Sequence, residues 1–79
     1  MNVRVLFFGA TANIVGLREL DLTVGGATTV RAVTDQLSWD HSTLSNHKLL
    51  VSVNEEYSDA DTLLNDGDEI AIFTAVSGG

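Results

Sequence analysis

The sequence predicts an α+β domain, a mixed five-stranded sheet packed on one main helix. Three observations carry this. Val3, Val5 and Phe7 alternate with Arg4 and Leu6 in an early β-branched and aromatic stretch. Thr28-Thr29 then precedes Val30, Val33 and Leu37 at helical spacing. Two further apolar stretches, Lys48 to Val53 and Glu69 to Thr74, lie either side of the turn signal Asn65-Asp66-Gly67-Asp68. A period of two marks strands and a period near 3.6 marks a helix.

Taken in order, Asn2 to Phe8 and Arg18 to Val24 read as a pair of strands. The connection Ala10 to Leu17, flanked by Gly9 and containing Gly16, reads as one helical turn. Gly25-Gly26 ends the second strand as a turn, lacking any phosphate-loop or dinucleotide context. Thr28 or Thr29 can cap the main helix, because a hydroxyl at that position accepts from an orphan backbone N–H. Trp39, at the end of the helix, is expected to lie as a lid over the small core. Asp40 to His47 is a polar loop, Lys48 to Val53 the third strand, and Tyr57 the start of a short fourth. Asp61 to Leu64 is expected to form a brief helical turn before the last strand, Glu69 to Thr74.

The resulting order is β-β-α-β-β-β. A helix crossing over after a hairpin returns the chain parallel to the first strand, so the last strand can lie beside the first with the sheet wrapped on the helix. This is the β-grasp architecture, assigned to residues 1–74, with 75–79 as a flexible C-terminal diglycine tail.

Alternation also sorts the faces. Val3, Val5, Phe7, Leu49, Val51, Val53, Ile70 and Ile72 should meet the helix. The opposite face then carries Arg4, Lys48, Ser52 and Glu69, but also Leu6, Phe8, Leu50, Ala71 and Phe73, which is too apolar for a solvated surface. With the first and last strands parallel, Phe8 and Phe73 come together at the end from which the tail leaves. Tyr57 is placed at the edge of this patch. An apolar patch beside a reactive tail points to a protein interface, with the Phe73 ring solvent-exposed in the free protein.

Composition limits the alternatives. A chain of 79 residues buries only ~60% of its unfolded surface, too little for both a core and a deep active-site pocket. An independent enzyme is therefore not expected. There is no cysteine, which rules out disulfides, thiolate metal sites and side-chain thiol chemistry. The net charge of −7 repels nucleic-acid phosphates and anionic lipid and favours a basic partner. No apolar run is long enough to span a bilayer, and Met1 leads directly into a strand, so a cytoplasmic location is expected. Asp59, Asp61, Asp66, Asp68 and Glu69 lack calcium-loop spacing and read as a solvated turn or a contact for a basic partner. His41 and His47 sit in a polar loop without further ligands, and no metal site is expected.

The sequence closes on Val76-Ser77-Gly78-Gly79 directly after the last strand. Diglycine adds no side-chain bulk and little conformational restriction, so it can thread a narrow channel and expose a terminal carboxylate to attack.

These features together resemble the ubiquitin-like sulfur carriers, and most closely the MoaD family. The matching residues are Val5-Leu6-Phe7-Phe8, Val15-Gly16, Thr29-Val30, Val53-Asn54, Asp66-Gly67-Asp68-Glu69 and Val76-Ser77-Gly78-Gly79. Two stretches depart from the family pattern: Thr74-Ala75 where proline is usual, and Ala12-Asn13 where an Arg-Glu pair is usual.

The resemblance implies a non-catalytic subunit of molybdopterin synthase. An E1-like enzyme would adenylate Gly79 with ATP, and a sulfur donor such as a cysteine desulfurase or rhodanese-like protein would convert it to a thiocarboxylate. Val76, Ser77 and Gly78 would enter the large catalytic subunit, in a heterotetramer, and deliver sulfur to cyclic pyranopterin monophosphate. No cofactor would be bound stably: ATP belongs to the activating enzyme and the sulfur is covalent at Gly79. The resemblance places interface residues at Phe8, Tyr57 and Phe73, and the apolar face adds Leu6 and Leu50. Two alternatives share the diglycine end, a thiazole-forming sulfur carrier of thiamine synthesis and a ubiquitin-like protein modifier.

Overall fold

A computed structural model describes residues 1–74 of the chain. Strand β1 (Asn2–Phe7) is followed by the short helix α1 (Ala10–Val15) and strand β2 (Glu19–Thr23). The main helix α2 (Val30–Asp40) and a 3₁₀ helix (Ser42–Asn46) lead into β3 (Leu49–Val53), β4 (Glu56–Tyr57) and β5 (Glu69–Thr74). The sheet order is β2-β1-β5-β3-β4, with β1 and β5 parallel and the other neighbours antiparallel. This is the ubiquitin-like β-grasp arrangement.

Strand parity sets the core. Val3, Val5 and Phe7 of β1, Val51 of β3 and Ile70 and Ile72 of β5 are buried, as are Val30, Val33 and Leu37 of α2. Leu49 and Val53 are partly buried against the same cluster. Every second strand residue thus turns towards the one helix long enough to cover the sheet.

Of the two candidate caps, Thr29 is the one used. Its backbone is extended, and its Oγ1 accepts from Ala32 N at 3.2 Å. Thr28 instead donates through Oγ1 to the Gly25 carbonyl at 2.6 Å, closing the Gly25-Gly26 turn.

Three local expectations are corrected. Trp39 is 86% exposed and covers nothing in the core. It lies two residues beyond Leu37, about 200° further round the helix, and so on the solvent side. The core closes at this end through Leu44, fully buried in the 3₁₀ helix that replaces the predicted Asp40–His47 loop.

Asp61 to Leu64 is a turn and an extended bridge rather than a helical turn, with Leu63 paired to Thr29. The cause is non-local. Val30 N and Arg31 N, orphan donors in the first turn of α2, donate to Thr62 O at 3.0 Å and Ala60 O at 2.9 Å. Leu64 N returns a bond to Thr28 O, and the Leu64 side chain is buried. Asp59 holds the bend by accepting at Oδ1 from Asp61 N and Thr62 Oγ1.

The acidic segment before β5 is only partly solvated. Asp66 and Asp61 are exposed, but Asp68 is buried and accepts from Asn54 Nδ2 at 2.9 Å and Asn65 N at 2.7 Å. Gly67 at φ 84 provides the left-handed turn that brings this carboxylate back.

Candidate functional site

The sheet face turned away from α2 carries an aromatic row. Phe8 follows directly on β1, and its N–H donates to Ile72 O at 3.1 Å, which fixes it beside Phe73. The Phe8 and Phe73 rings stack with centroids 5.1 Å apart and planes 13° from parallel. Tyr57 tilts against the other side of Phe73, at 6.4 Å and 52°. Both separations fall in the range in which aromatic pairs attract.

Phe8 is 45% exposed and Tyr57 76%. Phe73 itself is only partly exposed, which corrects the expectation of an open ring: the rings on either side cover it. Beneath the row, Leu6 and Ala71 pair across β1 and β5, and Ser52 of β3 faces both Ala71 and Tyr57 in register. Leu6, Phe8, Tyr57, Ala71 and Phe73 line an open groove with Ser52, Glu55 and Glu69. Leu50 is opposite Phe73 in the β3–β5 register and is exposed, but it lies outside the groove lining. Four of the five predicted patch residues therefore meet in one depression.

Two local devices hold the row in place. Gly9 turns the chain from β1 into α1 at φ 58 and ψ −132, a conformation that a side chain disfavours. Thr11, fully buried, directs its Oγ1 to the carbonyls of Phe8 at 2.7 Å and Ile72 at 3.1 Å. One hydroxyl thus ties the residue bearing one ring to the residue preceding the other. Composition carries no signal for Thr11, because a threonine in a six-residue helix looks like a surface residue.

A second feature sits at the β3–β4 end of the groove. The hairpin loop contains only Asn54 and Glu55, at φ 51 and 71. Positive φ at both central positions is the pattern of the type I′ turn that matches strand twist. Asn54 also joins the hairpin to β5: its N–H donates to Glu69 O at 2.8 Å, and its Oδ1 accepts from Glu69 N at 3.0 Å. Asn54, after β3, and Asp68-Glu69, at the start of β5, are therefore joined in one clasp.

Arg4 lies between Glu19 and Asp21 at 3.8 and 3.6 Å, both exposed pairs of small energetic weight. Among the described residues no group of three or more His, Asp or Glu side chains is placed to hold a metal. No helix there is long and apolar enough to cross a membrane. The remaining predicted site residues, Val76, Ser77, Gly78 and Gly79, lie outside the described residues, as does the assignment of 75–79 as a tail. Thr74, the last residue described, ends β5 one position after Phe73.

The ThiS family pattern matches residues 5–79, nearly the whole chain. The chain belongs to the ThiS family. Its sequence is 34% identical to the molybdopterin synthase sulfur carrier subunit of Haemophilus influenzae, with 98% of this chain and 99% of that protein covered. It is also 34% identical to the subunit of the same name from Mycobacterium tuberculosis, with 100% and 99% covered. Among solved structures, the small archaeal modifier protein 1 of Haloferax volcanii superposes with a TM-score of 0.83 at 26% identity, covering 95% of this chain and 98% of that one. Membership of the ThiS family agrees with the sulfur-carrier resemblance read from the sequence motifs, and the shared fold agrees with the predicted strand order.

Proposed function

We propose that this ThiS-family chain is the sulfur-carrier subunit of a molybdopterin synthase. The observation that carries the proposal is the Phe8–Phe73–Tyr57 row at the end of β5, immediately before the segment that leads to Gly79. Full-length similarity to relatives bearing that name supports it.

In this reading the Gly79 carboxylate attacks the α-phosphate of ATP on an E1-like enzyme, releasing pyrophosphate. The carboxylate is a poor electrophile, and its mixed anhydride with AMP has a good leaving group. The outer sulfur of a persulfide, on a donor of the cysteine-desulfurase or rhodanese type, attacks the acyl carbon and expels AMP to give an acyl disulfide. A thiol of the donor system then attacks the donor's sulfur, forming a disulfide there and releasing the terminal thiocarboxylate. That thioacid is ionised at neutral pH, so its sulfur is the nucleophile towards cyclic pyranopterin monophosphate. Water then cleaves the acyl–sulfur bond and returns Gly79 to the carboxylate.

The aromatic row docks on the large catalytic subunit, and Val76, Ser77 and Gly78 enter its channel. Five residues beyond Thr74 reach at most ~17 Å, so the partner's reacting centre lies within that distance of the docked strand end. Acid–base and phosphate-binding groups belong to the partner, and this subunit supplies the reactive terminus.

The test is reconstitution with the large subunit, precursor, ATP, an E1-like enzyme and a sulfur source. Dithiolene-containing product should form with this chain and fail to form when Gly79 is deleted. Product formed equally well by the shortened chain excludes the proposal.

A second reading has one observation in its favour, the structural likeness to a small archaeal modifier protein. There the same acyl-adenylate would pass to a lysine amine on a target protein, losing AMP and forming an isopeptide. C-terminal peptides of this chain joined through Gly79 to target lysines, found by mass spectrometry in cells expressing it, would establish that use.

A further inference from the structure

Glu55 lies at the second central position of the β3–β4 loop, at φ 71, and is one of the residues lining the aromatic groove. A loop of this type favours asparagine followed by glycine. Asn54 satisfies the first preference, but at the second the backbone holds a long side chain in a conformation that suits glycine. Nothing among the described residues recovers that strain through an ion pair: the pairs present are those of Arg4 with Glu19 and Asp21, and of Arg31 with Asp61. Glu55 is exposed and shares the groove lining with the apolar residues Leu6, Phe8, Ala71 and Phe73, with Glu69 as the other acid there. A charge at the rim of an apolar depression selects a partner with an apolar centre and an opposite charge at its edge, and the net charge of −7 steers the same kind of partner.

We propose that Glu55 is a specificity contact of the docking face, accepting a charge-assisted hydrogen bond from a lysine or arginine that the large synthase subunit presents at the β3–β4 end of the groove. The partner is then chosen by a basic rim as well as by the aromatic row. This inference rests on the docking reading above and adds the chemistry of the partner's edge.

The experiment measures affinity and association rate for the large subunit at low and high salt, together with the melting temperature of each variant. Glu55→Gln keeps the size and removes the charge. It should weaken binding about five- to tenfold, less than the full worth of a charged hydrogen bond because the amide oxygen still accepts, chiefly by slowing association, and it should flatten the salt dependence. Glu55→Gly should weaken binding similarly while the melting temperature holds or rises, because the turn loses its strained side chain. A residue serving only the turn would not move stability and affinity in opposite directions. Glu55→Lys should bind more weakly still.

Phe73→Asp in the same assay separates the two readings. If it fails to bind while all Glu55 variants keep wild-type affinity and salt dependence, the docking face stands and the Glu55 contact is wrong. If Phe73→Asp binds like wild type, the docking face itself is wrong and the contact falls with it.

Discussion

Asn54 donates through Nδ2 to the buried carboxylate of Asp68 at 2.9 Å, joining the β3–β4 hairpin to the turn that launches β5. Asp68 also accepts from Asn65 N at 2.7 Å, and Asn54 closes two bonds to the Glu69 backbone. The hairpin at one end of the groove is thereby locked to the strand that carries Phe73 and leads to the C-terminal segment.

Asp68→Ala should therefore destabilise the domain by about 2 kcal/mol, because two donors lose a charged acceptor in a partly buried site. Asp68→Asn should cost less, about 1 kcal/mol, since one amide oxygen still accepts. Chemical denaturation of the two variants checks the order. Equal stability of Asp68→Ala and wild type would mean that the clasp is ornamental.

Phe73→Asp and Ile72→Asp test strand parity. Ile72 is fully buried, and a carboxylate there has no partner, so that variant should unfold. Phe73 is half-covered by Phe8 and Tyr57, so Phe73→Asp should cost about 1 kcal/mol of stability through the lost ring contacts. Its affinity for the large subunit should fall by at least ~2 kcal/mol, the scale of an interface hot spot. Melting temperature and binding are measured for both. An unfolded Phe73→Asp alongside a folded Ile72→Asp would reverse the assignment of faces.

Trp39 and Leu44 make a second contrast. Leu44→Ala removes a fully buried side chain and should cost about 2–5 kcal/mol. Trp39→Ala, at a position 86% exposed, should stay within about 0.5 kcal/mol of wild type. Thermal melts of both variants decide whether the 3₁₀ helix or the indole closes the core.

Thr11→Val should lower stability by about 1 kcal/mol, since the buried hydroxyl bonds to Phe8 O and Ile72 O are lost without a change in bulk. Thr11→Ser should restore most of it. The cross-ring NOEs between Phe8 and Phe73 should weaken in the valine variant and return in the serine variant. Unchanged NOEs in Thr11→Val would show that the stack holds without the hydroxyl.

Much of this arrangement is legible from local pattern. The alternation of Val3, Val5 and Phe7 and of Ile70 and Ile72 sets the core face, because a strand has only two sides. Given one crossover, β1 and β5 lie parallel, and Phe8 meets Phe73. What escaped was decided by residues distant in the chain. Leu44 is a single apolar residue in a polar run and has no period to reveal it; packing against the end of α2 makes it core. Asp61 to Leu64 is not helical because Thr62 O, with Ala60 O just before the stretch, answers the free N–H groups of Val30 and Arg31. At the site, Leu6, Phe8, Tyr57 and Phe73 were readable as a patch. The partial cover of Phe73 and the placement of Glu55 depend on ring tilt and on a left-handed turn that side-chain alternation does not encode.

Gly78→Val alters none of the buried core residues among those described and should leave the melting temperature unchanged. Under the proposed function it should block sulfur transfer, because a β-branched side chain restricts the backbone where the proposal has the segment enter a channel. Transfer at the wild-type rate would remove the steric argument for diglycine.

The most direct measurement is the mass of the C-terminal peptide after incubation of the chain with ATP, an E1-like enzyme and a sulfur donor. The account predicts one oxygen exchanged for one sulfur, located at Gly79 by fragmentation and absent when ATP is withheld or the terminus is extended. A C-terminal peptide that stays fully oxygenated while the same enzymes load a known carrier, or sulfur found on any other residue, would contradict it.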